Sequence, residues 1–550
     1  MTDQFASLSM KSFSLLSIGF IILLNFNSYA QSKSDRLYKE KIAGETLNNG
    51  QFRKALQLYL ELDSLNRQST NYNYEIGLCY INLQDNNLAL PYLLKCMENP
   101  ERYPDALYFY TGKAYHLSHM MDSAITNYQR FKNKLKEGKN KKFLEKNKHA
   151  LDQIDREIDM CEYGKVLMIN SKNIRIKNLG ATINSPYPDY GVVISADESE
   201  IFFTSTRPGT TGGLIDESDG LGLYYEDIYY TRKTNDGWSE PKNLGAPVNT
   251  NSNDASISLS ADGQKLLIYR SEKNNLLSKT SGNLYITTLK GSEWSVPEKL
   301  PDIINGKGRV TGASLSADER VLYFSSDREG GYGGMDLYRV RKLPNGEWAM
   351  PQNLGPEINT PYDEDSPFIH PDGKTLYFSS NGLKTMGGFD VFVSQLNEDQ
   401  NTWSKPENVG YPISTAHDDI HLAWSADGKK VYFSSYRSDG YGDKDIYYAE
   451  MEKEEANLIV LKGIVTDSTS RVPMEALITV KDVSTNEVVG VFNSNSESGR
   501  YLVVLPEGKN YVFTIEAEDY IECSEVINVP QLGGFEVIDK NIQLCAKPRE

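Results

Sequence analysis

Between residues 174 and 451, apolar and polar positions alternate in short runs such as "VLYFSS" at 321–326 and "KVYFSS" at 430–435. A period of two predicts half-buried strands. Each run follows a turn: Ser-Ala-Asp at 195–197, 260–262, 316–318 and 425–427, and His-Pro-Asp at 370–372. The turns are spaced 65, 56, 54 and 55 residues apart, and Trp238, Trp294, Trp348 and Trp403 keep time with them at 56, 54 and 55. Asn178, Asn243, Asn353 and Asn408 open "NLG" or "NVG". Each unit therefore reads strand, Asp-Gly-type turn, "LYFSS", glycine loop, "DLY" or "DIYY", then "WSxPxNLG". Asp-Gly between alternating runs signals a tight hairpin, because glycine accepts positive φ. Four strands per unit in five units predict a radial array of small sheets, a five-bladed β-propeller, since one such sheet cannot bury both its faces alone. Strands drawn from "GKVLMIN" would make it six-bladed. "NIRIKNLG" is expected to supply the outer strand of the last unit and close the ring. The insertion "PGTTGGLIDESDGLGLYY" lengthens the first spacing and is a candidate recognition loop.

Residues 31–165 carry a different pattern, with helical periodicity and small residues at a long repeat. Ala55, Ala89 and Ala124 are 34 and 35 apart, Gly77 and Gly112 are 35 apart, and Tyr80 and Tyr115 follow the glycines by three. Small residues recur where two helices approach closely, and aromatics fill the gaps. The segment resembles tetratricopeptide (TPR) repeats, three units and a polar capping helix near 140–162, although the usual first-helix Trp and final Pro are missing. The resemblance implies a concave groove lined by Asn71, Tyr74, Asn82, Phe109, Lys113 and His116, where an envelope protein partner is expected to bind.

At the N-terminus, Lys11 precedes the apolar run "FSLLSIGFIILLNF" (13–26) and small residues at Ser28 and Ala30. This describes a secretory signal over 1–30, with Met10 a second candidate start, and the run is short of the roughly 20 residues that span a bilayer. No later stretch is long enough to span one, so the mature chain is expected to be exported, periplasmic or outer-membrane-associated. The net charge of −17, from 58 basic and 75 acidic residues, argues against a nucleic-acid partner. Five cysteines fit no zinc spacing; Cys523 and Cys545 either bridge two C-terminal strands or remain thiols.

Two further resemblances complete the organisation. Residues 166–455 resemble the WD40-like "SADG…LYFSS" repeats of TolB-type and OmpA-associated periplasmic propellers. Residues 456–550 resemble a carboxypeptidase-regulatory-like β-sandwich through Gly463, Asp467, Pro473, Gly499, Tyr501, Leu505, Pro506, Gly508, Tyr511 and Tyr520. The order of the three modules is similar to that of PorE-like, OmpA-family envelope proteins linked to type IX secretion. Those usually end in an OmpA-like peptidoglycan-binding domain, which is not expected here, so peptidoglycan binding is not carried over.

Candidate chemistry is sparse. There is no G-x-S-x-G, no H-E-x-x-H, and no glycine loop leading into a helix that would cradle phosphate. "GGYGGMD" joins two strands and reads as turn geometry. "HDDIH" (417–421) puts His417, Asp419 and His421 on one side of a strand, as metal ligands or as solvated loop residues; no metal or cofactor is expected. Six residues before the turns stand Asp189, Asp254, Val310, Glu364 and Asp419. The four acids either form a ring at a channel mouth that binds a cation or basic segment, or cap turns within their own units. Asp227, Asp336, Asp390 and Asp445, with Asn283, precede the third strands, and Arg207, Arg328 and Arg437 recur after the turns, where repeated Asp–Arg contacts would be structural. The expected function is a non-enzymatic envelope scaffold that binds envelope proteins through the helical groove and the propeller faces, accessory to type IX secretion or outer-membrane organisation. The alternatives are a ligand-sensing propeller or a propeller glycan lyase or hydrolase, the latter needing two carboxylates facing each other across a mouth.

Overall fold

The structure is a computed structural model and describes residues 35–65, 72–139, 141–216, 223–272, 281–451, 457–531 and 533–548. The signal segment 1–30, the groove residue Asn71 and the 217–222 part of the first-unit insertion lie outside these. Compactness divides the chain into two units, 1–114 with 216–222, and 115–215 with 223–550. The division falls inside one helix.

The first unit is helical: α1 (35–48), α2 (Phe52–Leu65), α3 (Asn73–Asn82), α4 (Asn86–Met97) and the start of α5 (Ala106–Leu117). Asp85 begins α4 by accepting the Leu88 N–H at 3.1 Å, which satisfies one of the amides that a helix start leaves unpaired. A Cβ on Gly77 would stand 2.6 Å from Leu93 Cδ2, so glycine sets how closely α3 and α4 approach. Ala55 and Ala89 are fully buried with Leu62, Ile76 and Cys79. These are the small-residue positions of the sequence repeat.

The second unit begins with α6 (Met121–Lys136), α7 (Lys141–Lys146) and α8 (Lys148–Ile169). "GKVLMIN" lies at the end of α8 and supplies no strand, which removes the sixth sheet. Five antiparallel sheets follow, with first strands Asp189–Ile194, Asp254–Leu259, Val310–Leu315, Glu364–Ile369 and Asp419–Trp424. Each first strand lies against the next sheet's first strand, and the fifth lies against the first, so the five make a closed cycle. Arg175–Asn178 pairs with Asp445–Glu450 and is the outer strand of the fifth sheet. The N-terminal end of the β region thus completes its last sheet.

The repeated residues now have physical reasons. In Ser-Ala-Asp, serine and aspartate oxygens accept turn amides: Lys265 N–H to Ser260 Oγ at 2.9 Å and Gln264 N–H to Asp262 Oδ1 at 3.0 Å. The next residue has positive φ at Glu198, Gly263, Glu319, Gly373 and Gly428. At the two glutamates the side chain turns outward to a lysine of the preceding sheet, Lys430 on Glu198 at 2.6 Å and Lys265 on Glu319. The periodic tryptophans fill the gaps between sheets: Trp294 meets Phe202 edge-on at 5.7 Å, and Trp403 meets Tyr323 at 5.9 Å.

The glycine loops carry the expected turn geometry at Gly330, whose φ is +90, and a second constraint at other positions. Gly333, Gly387 and Gly442 do not have positive φ. A Cβ there would run into backbone of the following sheet: Thr360–Tyr362, Ala416, and Ser185 O at 2.7 Å, respectively. They are glycine because the next sheet's loop passes where a side chain would be.

The C-terminal module has two sheets. Leu458–Asp467 lies between Arg500–Pro506 and the parallel strands Glu536–Asp539 and Ile542–Leu544, and the facing sheet holds Leu477–Asp482, Val488–Asn493, Asn510–Glu516 and Cys523–Asn528. Ile459, Leu461, Val503, Leu505, Tyr511 and Phe513 fill the space between.

Gly387→Ala should destabilise the protein by about 1–3 kcal/mol, the usual cost of forcing a group into packed backbone. Urea denaturation checks this; an unchanged midpoint would contradict the packing role given to these glycines.

Candidate functional site

The expected acid ring is corrected first. Asp189, Asp254, Glu364 and Asp419 are all fully buried. Each is saturated by its own sheet. Asp189 accepts Ser185 N–H at 2.6 Å, Ser185 Oγ–H at 2.8 Å and Arg207 Nη2–H at 2.7 Å. Asp254 accepts Thr250 N–H and Oγ1–H, both at 2.6 Å, and Arg270 Nε–H at 2.5 Å. Glu364 takes Thr360 N–H, Thr360 Oγ1–H and Ser380 Oγ–H, each at 2.7 Å, and Asp419 takes the equivalent donors of Thr415 and Ser435. These carboxylates cap turns. Buried as they are, they present no open mouth to a cation or basic segment.

The third-strand acids form a second buried set. Asp227, Asp336, Asp390 and Asp445 accept the Nδ2–H of Asn243, Asn353, Asn408 and Asn178, three at 2.7 Å and the last at 2.8 Å. The arginines pair with first-strand acids or carbonyls instead: Arg207 with Asp189, Arg437 with Asp419 at 3.6 Å, and Arg328 with the Ile304 carbonyl. The "NLG" asparagine was visible as a repeat, but its partner was not. A second asparagine six residues on was also missed. Asn184, Asn249 and Asn359 donate to the first asparagine and bridge the backbone of the third strand, as Asn249 does with Ile228 N–H and C=O, both at 2.9 Å. The spacing N-L-G-x-x-x-N was the available signal.

The two acid sets meet at each junction. The N–H of Asp189, Asp254, Glu364 and Asp419 donates to the carbonyl just before the preceding sheet's third-strand aspartate, at 2.7–2.8 Å. Oδ1 of Asp227, Asp390 and Asp445 is buried without a hydrogen-bond partner among the described residues. Burial, joined by the neighbouring acid, pushes Asp390 well above the carboxylate range and Asp445 up to about 6; burial likewise raises Asp419 to about 6, against the pull of Arg437.

Open space lies along the axis of the cycle. A cavity of about 90 Å³ is lined by the first strands of all five sheets, including Ile257, Leu315, Phe368, Leu422 and Trp424. Its floor is the middle residue of each turn: Ala196, Ala261, Ala317, Pro371 and Ala426. Against the alanines pack Leu458, Val460, Leu502 and Val504 of the C-terminal module. Gln264 Nε2–H to Asn493 O at 2.8 Å and Asn495 Nδ2–H to Gly291 O at 2.9 Å fix that docking. His421 lines the cavity, while His417 is buried with its ring tilted against Tyr436, 4.6 Å between centroids. Thus His417, Asp419 and His421 have three separate environments, and among the described residues no group of three side chains is placed to hold a metal.

The expected groove residues separate. In the first unit Tyr74 is half-buried in an aromatic cluster, 5.9 Å from Tyr103 and 6.4 Å from Tyr110, with Phe109 5.6 Å from Tyr110. Lys113 is half-buried, and exposed Asn82 donates back to Leu78 O at 2.8 Å. His116 is corrected: it is fully buried in the second unit and lines no groove. Its Nε2 is 2.7 Å from Met386 O, and its Nδ1 is 3.3 Å from Glu157. Arg156 stacks over Tyr362 at 3.8 Å. The helices after residue 115 are thereby fastened to the loops of the fourth sheet. Cys523 and Cys545 are not joined. Among the described residues no helix is long and apolar enough to cross a membrane.

No family model and no curated protein matches the chain. Among solved structures it is similar to an α-L-arabinofuranosidase from Lactobacillus brevis (12% identity, 50% of this chain and 93% of that one, TM-score 0.34). It is also similar to a β-1,2-mannobiose phosphorylase from Listeria innocua (9%, 51% and 97%, TM-score 0.35) and to the polysaccharide lyase Uly1 (14%, 47% and 56%, TM-score 0.27). The expectation of a non-enzymatic protein is corrected here. Solved structures that match about half of this chain are enzymes named for carbohydrates, so absence of activity is withdrawn as a property of the chain. Scores of this size assign it no activity either.

Asp445 gives a pH prediction. Its carboxyl is raised from 3.8 to about 6 in the folded state, so its contribution to stability is complete below 3.8 and lost as pH rises through about 6. Asp445→Asn keeps the shape and lacks the titration. Relative to wild type it should gain roughly 1–2 kcal/mol between acid and neutral pH. Urea unfolding at both pH values checks this, and parallel profiles would refute it.

Proposed function

We propose that the cycle of five sheets is a five-bladed β-propeller of an exported envelope protein, and that its axial cavity is a ligand-binding site. The observation that carries this reading is the cavity itself. All five first strands line it, and the docked C-terminal module packs on the alanines of its floor. Ligand sites are concave, largely preformed and apolar with a few polar groups, and this cavity has that character. The helices are read as TPR-type repeats and the C-terminal module as a carboxypeptidase-regulatory-like sandwich, in the arrangement of PorE-like envelope proteins.

A thermal-shift and calorimetric screen of the intact mature chain tests it, with cell-wall and plant oligosaccharides and small uncharged amphiphiles, and with product analysis by mass. A ligand is expected that raises Tm and is lost in Ala313→Phe, which fills the cavity. Should every bound ligand ignore a folded Ala313→Phe, the reading is wrong. Product formation would make the site catalytic.

A second reading, a scaffold that holds an envelope partner, is favoured by the half-buried Tyr74, Phe109 and Tyr110 cluster in the helical unit. Because residues after 115 pack on the sheets, its test is Tyr74→Ala with Phe109→Ala in the full chain rather than a deletion. Crosslinked envelope partners recovered with wild type should disappear with the double variant; identical recovery would count against the groove.

A further inference from the structure

Within the cavity one residue breaks the pattern of the repeat. The third position of each first strand is Gly191, Ser256, Gly312, Ser366 or His421. Four of these strands bulge at this point, where the ladder register shifts between Tyr190 and Val193, Val310 and Ala313, Asp365 and Phe368, and Ile420 and Ala423. The bulged residues line the cavity. Four of the five positions hold the small residues glycine or serine, which a narrow axis favours. His421 is the exception. Its left-handed backbone, φ +54, is shared by Gly191 at +64 and Ser366 at +51, so the side chain and not the backbone sets it apart.

The imidazole is also held in a defined state. Its ring stacks on Tyr190 at 5.7 Å with 26° between planes, and the Tyr190 hydroxyl donates to Glu226. Burial, with Lys444 nearby, pushes it down to about 3, so it is neutral. Its Nδ1 is sealed from solvent and has no hydrogen-bond partner among the described residues, while the ring as a whole is partly accessible, so Nε2 is the nitrogen left to meet a ligand in the cavity. The rest of the lining is mostly apolar, with Ser258, Ser314 and Ser366 and the alanine floor.

We propose that His421 is the polar anchor of this cavity and that the cavity takes the short apolar end of an uncharged, hydroxyl-bearing ligand. This rests on the axial-site reading above. A hydroxyl both donates and accepts, so it satisfies Nε2 in either tautomer of the neutral ring. A carboxylate or ammonium would carry charge against apolar walls, with no opposite charge on the lining to offset desolvation. The cavity of about 90 Å³ is smaller than one that holds a benzene ring, which limits the buried part to a short branched alkyl group.

The test uses three probes on one carbon skeleton: 3-methyl-1-butanol, isovalerate and isoamylammonium, followed by saturation-transfer NMR at high salt on the full mature chain. The alcohol is expected to bind wild type, and the charged probes are not. His421→Gly removes the imidazole and relieves the positive φ, so it should keep or raise Tm while weakening the alcohol by about tenfold or more, the size of one lost buried hydrogen bond. Ala313→Phe should abolish binding. Equal alcohol binding by wild type and His421→Gly overturns the anchor, and if Ala313→Phe still abolishes it, the axial site stands without it. Binding of either charged probe as tight as the alcohol overturns the ligand class. No binding of the alcohol by wild type overturns this inference, while the axial site is then decided by the oligosaccharide and amphiphile screen.

Discussion

The fold depends on how buried carboxylates are held where one sheet meets the next. Four of the five junctions bring a first-strand acid and the preceding sheet's third-strand aspartate to within a residue of one backbone hydrogen bond, and the fifth has Val310 and Asn283 in their places. Two carboxylates in a dry junction repel, and each costs several kcal/mol if left unpaired. The chain answers with short, local donors: a threonine or serine turn, an arginine or serine from the second strand, and the asparagine of "NLG". Charge-assisted bonds of this kind are about twice as strong as neutral ones and strongly directional. They fix the angle between neighbouring sheets, which five repetitions must close.

That closure explains the residues with no donors to offer. Glycines are needed in the loops because adjacent sheets held at that angle bring the next loop against their backbone. Tryptophans recur because the angle leaves a gap on the outer side that only a large ring fills. Alanines recur in the turns because their side chains face the axis and the C-terminal module docks on them. The same closure leaves a narrow axial space whose walls are mostly apolar, with Ser258, Ser314 and Ser366 among the lining. His421 is the one titratable side chain in that lining, and it departs from the repeat.

The helices after residue 115 extend the same logic outward. His116, buried between Glu157 and the Met386 carbonyl, and Arg156 over Tyr362 tie helix ends to a glycine loop of the fourth sheet. The helical repeat of the sequence therefore does not coincide with a structural boundary. Its last part belongs mechanically to the sheets.

The sequence by itself determined the parts governed by short-range rules. The period-two runs, the Ser-Ala-Asp turns with their left-handed fourth residue, the count of five, and Arg175–Asn178 as the closing strand all follow from alternation, turn chemistry and spacing. Helical spacing likewise placed Ala55, Ala89 and Gly77 at close helix contacts. Only the tertiary structure decided what the repeated acids do. Asp189 and Asp254 occupy the same register whether they face a channel or a turn, and the difference lies in which donors fold back on them. It also decided that His116 is a fastening and that His421 stands over the axial cavity. Such assignments depend on contacts between residues tens to hundreds apart, such as Asn178 with Asp445 or Ala426 with Leu458. No local pattern carries them, because the neighbour is supplied by ring closure and domain docking rather than by the chain on either side.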